Sequence, residues 1–559
     1  MRRISQLLLL AVFLLVSAFS FGYTQNLWEK RKKASDKNKG IISSEVKKKK
    51  KKEKASETSE YSSELGNRKV NKKADEYTFY NPNSIFIPVK YGEVTEIFNS
   101  NPVPANPSKK LIINIQDIHC HYEAQKNIAH ILEEMIVNYG VILILVEGNS
   151  KDASLAHLRS QADRASRIEV AEDYLTRGMI SGEEYLDLIS NYEFKPLGIE
   201  DKELYLKNLD SFLAIDKFKA KAIALLKDLD LICSNLKPKV FSKQLLELNE
   251  NKEKMEAEEL DFEEYCTYLL EAAEKNRCEL GLKKPNFEIV LKTMKLAEEI
   301  NFDTVNKERD FLVDELSKEL EKAPMTELLN KALLFKNDEI KQSVFYNYFQ
   351  SLLVNKKDWK SRFPELAKYI HYTNLHDTID IIELFIELEN VENAIKEKIY
   401  KNDDERKLDK ISHDATILSE IITLESAPYR YEYFLKNESN FYVKDWVSFL
   451  QRLSEKYKLK KDVPTNSSVV DDNLAEVKNF YSLAYQRDSV FINKTKNHLS
   501  DTKQNTAVMI TGGFHSKHIT QLFKNEGFSY MIISPKITTP VDQALYEAVL
   551  KYKSQLIQR

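Results

Sequence analysis

The chain is poor in glycine and proline, with 13 and 14 of them in 559 residues. Folds made of many short strands need both residues at their turns, so this scarcity argues against sandwiches, propellers and collagen-like repeats and favours helices. Only one long apolar run is present, which excludes a protein with many membrane spans. Hydrophobic residues still make up 42% of the chain, enough for a core, and this excludes global disorder. At this length we expect several compact units, or one domain with a large insertion.

Cysteine is also scarce. The four cysteines lack the spacing of a metal site and are too few for a disulfide framework. A bridge between Cys266 and Cys278 is one alternative, and buried free thiols are the other.

The part of the chain that can fold carries a net negative charge. Residues 1–75 hold 19 basic and 8 acidic side chains, a surplus of +11, so the net charge of −3 leaves −14 for the remainder. An acidic folded part does not match a phosphate backbone, so we expect no nucleic-acid partner.

The N-terminal 22 residues have the layout of a secretory signal peptide, because Arg2 and Arg3 precede an apolar stretch at 7–16. The basic residues at 30–33 resist translocation and favour an uncleaved anchor instead. We therefore expect either export to the periplasm or cell envelope, or attachment to a membrane through this segment.

The composition of residues 23–77 predicts a disordered, lysine-rich linker. The segment has few apolar side chains to bury and includes an unbroken lysine run at 47–52. The alternative is a tether attracted to anionic lipid or to the cell wall.

Short apolar runs without polar alternation predict strands of a parallel sheet that is covered on both faces. They lie at 111–115, 141–146, 194–199 and 508–511, and a further apolar run lies at 530–534. Helical patterns follow the first and fourth runs, which is the order of a βαβ unit. The sequence between the third and fourth runs consists mainly of long amphipathic segments.

This order predicts an α/β protein with a mostly parallel sheet flanked by helices and with a large all-helical insertion. We place the first part of the α/β domain at 78–205, the helical insertion at 206–477 and the second part of the domain at 478–559.

Polar residues follow the predicted strands where each of them ends. They are Asp117 and His119, then Glu147, then Glu200, and finally Gly512, Gly513 and His515. Ligands of open parallel sheets bind beyond the carboxyl ends of the strands, so we expect these residues to converge. A carboxylate near two imidazoles can bind a divalent metal or tune a general base, and the two glycines allow an anionic group to approach the backbone. The alternative for each polar side chain is a cap or a packed core residue.

The first motif, Asp117-x-His119-x-His121, resembles the first metal motif of PHP-type phosphoesterases and amidohydrolases. Gly198-Ile-Glu200 then stands in the place of the Gly-x-Glu of the former. That resemblance implies further metal-binding histidines at strand ends, whereas the histidines after Glu200 lie mostly in segments with a helical pattern.

A longer match involves both ends of the predicted domain. Residues 115–125, the helix after them and residues 145–148 resemble the opening of the superfamily that joins TraB/Tiki proteins, erythromycin esterases and ChaN-like haem-binding proteins. Gln486-Arg487-Asp488, residues 510–515 and residues 527–530 resemble its closing half. The first motif departs from the family pattern, because it lacks the glycine of a Gly-x-x-His pair.

This resemblance implies a sheet domain with a helical subdomain and a site built from His119, Glu147, Arg487 and His515. In Tiki-like members such positions are associated with metal-dependent peptide cleavage. In the esterases the histidine is a general base on water, and ChaN-like members bind haem.

The resemblance therefore implies a hydrolase of a small molecule or a peptide. His119 would be the general base or a metal ligand, Glu147 would orient or ligate, and His515 would ligate or stabilise charge. Arg487 would pair with a carboxylate, and Asp117 and Glu200 would be additional ligands or would support the others. The expected cofactor is zinc or manganese, with haem as the alternative. The competing classes are a binding protein for haem or another anionic ligand and a non-catalytic surface scaffold.

Overall fold

The computed structural model describes residues 65–70, 82, 85–100, 110–278, 285–321, 324–325, 327–328, 331–332, 335, 342–353, 358–513, 515–542, 545 and 548–549. The predicted signal or anchor segment and most of the predicted linker lie outside these residues. Within them, no helix combines the length and the apolar character that crossing a bilayer requires.

The described residues fall into two compact units. The sheet unit comprises the described parts of 40–239 and 407–559, and the helical unit comprises those of 240–406. The predicted helical insertion at 206–477 is thus divided between the two units.

The elements follow one another along the chain, and each belongs to the unit that holds most of its residues. The sheet unit begins with β1 (Gly92–Phe98), β2 (Leu111–Asp117), α1 (Tyr122–Tyr139), β3 (Leu143–Val146), α2 (Arg164–Thr176), α3 (Gly182–Ile189), β4 (Lys195–Gly198) and α4 (Lys202–Val240). The helical unit contains α5 (Lys243–Glu256), α6 (Phe262–Lys275), α7 (Pro285–Glu299), α8 (Phe302–Glu319), α9 (Gln342–Ser351), α10 (Trp359–Arg362), α11 (Pro364–His376) and α12 (Ile381–Ile399). The sheet unit resumes with α13 (Asp403–Thr423), α14 (Pro428–Lys436), α15 (Val443–Lys456), α16 (Ser468–Asp471), α17 (Leu474–Asp501), β5 (Thr506–Gly512), α18 (Ser516–Asn525) and β6 (Ser529–Pro535). Short 3₁₀ turns cover Ala156–Gln161 and Glu438–Asn440.

The six strands form one sheet in the order β1-β6-β2-β5-β3-β4. β1 pairs antiparallel with β6, and the other neighbours pair in parallel. The prediction of a mostly parallel sheet with flanking helices is therefore confirmed. The antiparallel edge strand β1 was not predicted, because its charged residues Glu93 and Glu96 leave no continuous apolar run.

Helices cover both faces of the sheet, which is why its strands are apolar on both sides. On one face, Ile113 and Ile115 of β2 pack into a core that includes Ile128 and Ile131 of α1. On the other face, a second core contains Ile112 of β2 together with residues of α17 and α18 such as Phe491, Ile519 and Phe523. Burial of side chains of this size stabilises the folded state by about 1.5–3 kcal/mol each.

Helix α1 begins two residues after the turn that carries His119. The side chain of His121 caps it by accepting a hydrogen bond from the Ala124 N–H at 3.2 Å. At the other end Gly140 adopts φ 65°, a left-handed conformation that suits glycine, and the chain turns into β3. Local signals thus fix the direction in which the chain leaves β2.

The helical unit has a core of its own that is rich in aromatic residues. Phe345, Tyr346 and Phe349 of α9 are fully buried in it, and Phe345 stacks on Phe335 with ring centroids 5.1 Å apart. No disulfide joins Cys266 to Cys278.

Candidate functional site

The register of the sheet aligns the ends of four strands at one edge. Asp117 at the end of β2 pairs with Gly512 at the end of β5. Val146, the last residue of β3, pairs with Ile510 of β5 and with Gly198 at the end of β4. The polar residues that follow these strands therefore start from neighbouring positions, although they come from both halves of the sheet unit.

Arg487 of α17 is the buried cation of this edge. It binds both carboxylate oxygens of Glu200, with Nε donating to Oε1 at 3.1 Å and Nη2 to Oε2 at 2.6 Å. Nη2 also donates to Glu147 Oε1 at 2.8 Å, and Nη1 donates to Asn208 Oδ1 at 2.9 Å. Burial alone would lower the pKa of Arg487, but the two carboxylates hold it above its ordinary value. The guanidinium is therefore a fixed positive charge with geometrically matched partners.

Two aromatic rings flank the Arg487 guanidinium. The centres of Tyr205 of α4 and Phe491 of α17 lie 5.3 and 5.5 Å from its central carbon. These distances are in the range of cation–π attraction, so the rings stabilise the charge while they exclude water from it.

Glu147 connects the cation to the end of β5. Its Oε2 accepts a hydrogen bond from the Gly512 N–H at 2.7 Å, and its Oε1 lies 3.3 Å from His515 Nε2 as well as beside Arg487. Burial would raise the pKa of Glu147, but His515, Arg487 and His119 together hold it well below its ordinary range. Glu147 is consequently a buried carboxylate that stays ionised at neutral pH.

His515 lies between two carboxylates. Its Nδ1 hydrogen-bonds to Asp488 Oδ1, and its Nε2 faces Glu147. Burial would lower the pKa of His515, but these carboxylates raise it to about 9. The ring is therefore an imidazolium at neutral pH, with both nitrogens in contact with acceptors.

Asp488 also binds a second histidine. Its Oδ2 lies 2.7 Å from His518 Nδ1, and the His518 ring packs against Tyr485 with centroids 4.5 Å apart. Asp488 is completely buried, whereas the side chain of His518 is 30% exposed. A continuous series of polar contacts thus leads from the surface at His518 to Glu147.

His119 reaches the same place from the end of β2. Its Nδ1 contacts Asp117 Oδ2, and its side chain is 43% exposed. The point at which a β-carbon would stand on Gly512 lies 3.8 Å from His119 Nε2, 3.6 Å from Glu147 Oε2 and 4.0 Å from His515 Cδ2. Because Gly512 has no side chain, there is a space beside it that is bordered by the imidazoles of both His119 and His515.

The residues that the sequence singled out are largely brought together. Those that meet around Arg487 or Gly512 are Asp117, His119, Glu147, Glu200, Arg487 and His515. Gly513 is exposed next to them. Sequence reasoning gave no role to Asp488, Asn208, Tyr205 or His518. The local signals were the place of Asp488 in the Gln486-Arg487-Asp488 motif and the position of His518 three residues after His515.

The arrangement does not fit a divalent metal at Glu147 and His515. Both nitrogens of His515 face carboxylates, and Glu147 already contacts two cations and a backbone N–H. A metal ion would have to displace these partners, because a ligand nitrogen must be unprotonated. The described residues contain no group of three or more His, Cys, Asp or Glu side chains arranged to hold a metal.

Comparison of the chain with protein-family models, with curated proteins and with solved structures gives no match. The resemblance to the TraB/Tiki, erythromycin esterase and ChaN-like superfamily therefore stays a prediction, and the function has to be argued from the site.

Proposed function

We propose that the protein is a hydrolase in which His119 acts as general base on a water molecule, in the manner of the esterases that its motifs resemble. The supporting observation is that His119 Nε2 and Glu147 Oε2 lie 3.8 and 3.6 Å from the point at which a β-carbon would stand on Gly512, so both atoms border the space beside this glycine. A water molecule between these two atoms, in van der Waals contact with Gly512, would have one acceptor for the proton that it gives up and a second acceptor to orient it. The substrate would be an ester or an amide of a small molecule or a peptide.

The contact between Asp117 and His119 supports the role of His119 as base. A carboxylate on Nδ1 favours the tautomer with its proton on that nitrogen, so Nε2 keeps its lone pair. Transfer of the water proton to Nε2 would create an imidazolium beside Asp117, whose negative charge stabilises it. The hydroxide oxygen would form the new bond to the carbonyl carbon while the carbonyl π bond shifts onto its oxygen. When this tetrahedral intermediate collapses, the bond from the carbon to the alcohol or amine would break, and the proton on His119 Nε2 would pass to that leaving group.

The remaining residues would stabilise charge as the carbonyl oxygen becomes negative. Arg487 and His515 are cations held in place by Glu147, Glu200 and Asp488. Because these carboxylates accept their hydrogen bonds, the two cations would act on the oxygen through their positive charge and not by donating to it. Fixed groups of this kind lower the barrier because they are oriented before the charge develops.

A second candidate is a binding protein for an anionic ligand, haem included, that uses the same residues without turnover. The observation that favours it is the start of α18, where His515 is the N-cap residue and provides no side-chain cap. The first N–H groups of this helix lie next to an imidazolium and an exposed Gly513, a combination that suits an anionic group.

The test is hydrolysis of p-nitrophenyl esters and peptide p-nitroanilides by the purified full-length protein, with and without a chelator. We expect turnover that survives the chelator and that falls about 100- to 10,000-fold in His119→Gln, the range for loss of a general base. The exposed His157→Gln on the 3₁₀ turn is the matched control and should leave the rate unchanged.

Three outcomes would contradict the proposal. Equal rates of the His119→Gln variant and the wild type would remove His119 from the chemistry. A chelator-sensitive activity with co-purified zinc or manganese would favour the predicted metal instead. A Soret band without hydrolysis would favour a haem carrier.

A further inference from the structure

A buried glutamine lies behind the Asp117–His119 pair. Gln125 of α1 is 2% exposed. Its Nε2 donates to Asp117 Oδ1 and to the Ile118 carbonyl at 3.1 Å, and its Oε1 accepts from the Gly182 N–H at 2.7 Å. Asp117 is thus bound on one oxygen by Gln125 and on the other by His119.

The Gly182 N–H determines which way the Gln125 amide faces. A backbone N–H can only donate, so the amide atom opposite it must be the oxygen. The amide nitrogen then faces Asp117, and a nitrogen that carries two hydrogens can only be met by an acceptor. The Gly182 N–H at the start of α3 therefore orients the Gln125 amide so that its nitrogen donates to Asp117. Asp117 is then the acceptor, as the proposed function requires.

Gly182 is needed for this contact, because α3 approaches α1 too closely for any side chain. A β-carbon on Gly182 would stand 2.4 Å from the Gln125 carbonyl oxygen and 3.0 Å from the Ile128 side chain. Contacts at the first distance are essentially never seen for a real β-carbon. The sequence thus places a glycine at the one position of α3 where its N–H reaches the Gln125 side chain.

From these contacts we infer that Gln125 is a positioning residue, which holds Asp117 so that the proton of His119 stays on Nδ1 and Nε2 faces the space at Gly512. The inference rests on the proposed function for its effect on turnover, but not for its effect on the histidine ring. Without Gln125, the Asp117 carboxylate loses one of its two anchors and can turn away from His119.

The test is the tautomer of His119 in the full-length protein labelled with ¹⁵N-histidine. The chain has 10 histidines, and the His119 signals are those that disappear in His119→Gln. We expect the wild-type ring to carry its proton on Nδ1 at a pH where the ring is neutral. In Gln125→Met, which keeps the length of the side chain without its hydrogen bonds, the ratio of the Nε2–H to the Nδ1–H form should rise roughly tenfold, as for loss of one charge-assisted hydrogen bond.

The matched control is Gln161→Met on the exposed 3₁₀ turn, which should leave the ratio unchanged. An unchanged ratio in a folded Gln125→Met variant would overturn the inference. If that variant fails to fold, the tautomer of the wild-type protein still tests the inference. A His119 ring with its proton on Nε2 would be incompatible with the inferred role.

Turnover separates this inference from the proposed function. With an ester substrate, Gln125→Met should lower kcat by about 10- to 100-fold, the range for residues that hold a functional histidine indirectly, and should leave KM nearly unchanged. If the tautomer shifts while hydrolysis is absent or insensitive to His119, the positioning role stands and the hydrolase proposal fails. If hydrolysis requires His119 while the tautomer is insensitive to Gln125, the hydrolase proposal stands and the positioning role fails.

Discussion

The carboxylate of Glu147 accepts a hydrogen bond from the backbone N–H of Gly512 at 2.7 Å, across a separation of 365 residues in the chain. This bond joins the end of β3 to the end of β5, which are neighbours in the sheet. The bond places the ionised carboxylate of Glu147 against the backbone of Gly512, a residue without a side chain. The site therefore depends both on the charge of Glu147 and on the absence of a β-carbon at Gly512.

Gly512→Ala should lower activity without unfolding the protein. The new β-carbon would lie 3.6–4.0 Å from Glu147, His119 and His515, which is ordinary van der Waals contact. The methyl group would fill the space that we assign to the attacking water, so kcat/KM should fall at least about tenfold, equivalent to 1.4 kcal/mol. Enzyme assays and thermal unfolding measure the two effects. A large loss of thermal stability with unchanged activity would contradict the assignment.

Arg487→Met should destabilise the sheet unit strongly. It leaves Glu200 buried without its cation and leaves Glu147 with His515 alone, and loss of one partner of a buried ion pair costs about 3–5 kcal/mol. Adding Glu200→Gln removes the uncompensated charge and should recover part of that free energy. Urea unfolding measures both variants.

The control for this pair is Lys207→Met, which breaks a solvent-exposed ion pair with Glu203 on α4. It should not change the urea midpoint measurably, because exposed pairs are screened by water and salt. Equal effects of Arg487→Met and Lys207→Met would mean that Arg487 is not the charge on which the site is built.

Glu183 of α3 should make stability depend on pH. Its carboxyl is buried, Oε1 accepts from the Ser181 hydroxyl, and Oε2 has no hydrogen-bond partner within the described part of the chain. Burial, with Glu184 and Asp117 nearby, raises its pKa from the ordinary 4.5 to about 8. The folded protein therefore keeps this proton in a pH range where the unfolded chain has released it, and ionisation favours unfolding.

It follows that titration of Glu183 lowers the free energy of unfolding of the wild type by on the order of a few kcal/mol as pH rises from about 4.5 to 8. His515, whose pKa is also raised, lowers it further above about pH 6.5 in every variant. Glu183→Gln imitates the neutral acid and should show a smaller fall than the wild type, whereas the exposed Glu169→Gln should show the same fall. Urea unfolding at the two ends of the range measures the difference. An equal change in wild type and Glu183→Gln would show that another group titrates.

The part of the site that lies at strand ends could be predicted from the sequence. A strand buried on both faces is largely apolar, so a change to polar residues lies close to its end, as Gln116 and Asp117 do in β2 and Glu147 does after β3. Parallel pairing then brings these ends to one edge. Even β4, which is interrupted by Lys195 and Pro196, fits this rule, because it is an edge strand and proline is tolerated there.

The residues that helices contribute could not be predicted in the same way. Asn208 and Tyr205 reach Arg487 from α4, and Asp488 reaches His515 from α17. Which polar residues of a long helix reach the site depends on packing between distant segments. The local sequence does not specify that packing. β1 was missed for a related reason, since one side of an edge strand stays exposed and can carry charge.

We propose that His119 from the front of the chain and His515 from the back serve one reaction. The most direct test is a double-mutant cycle on kcat/KM with His119→Gln, His515→Gln and the double variant, each checked for folding by circular dichroism. Residues that act as a unit are non-additive, so the double variant should lose little more than the worse single variant. Losses that multiply, as they do for independent sites, would contradict the account.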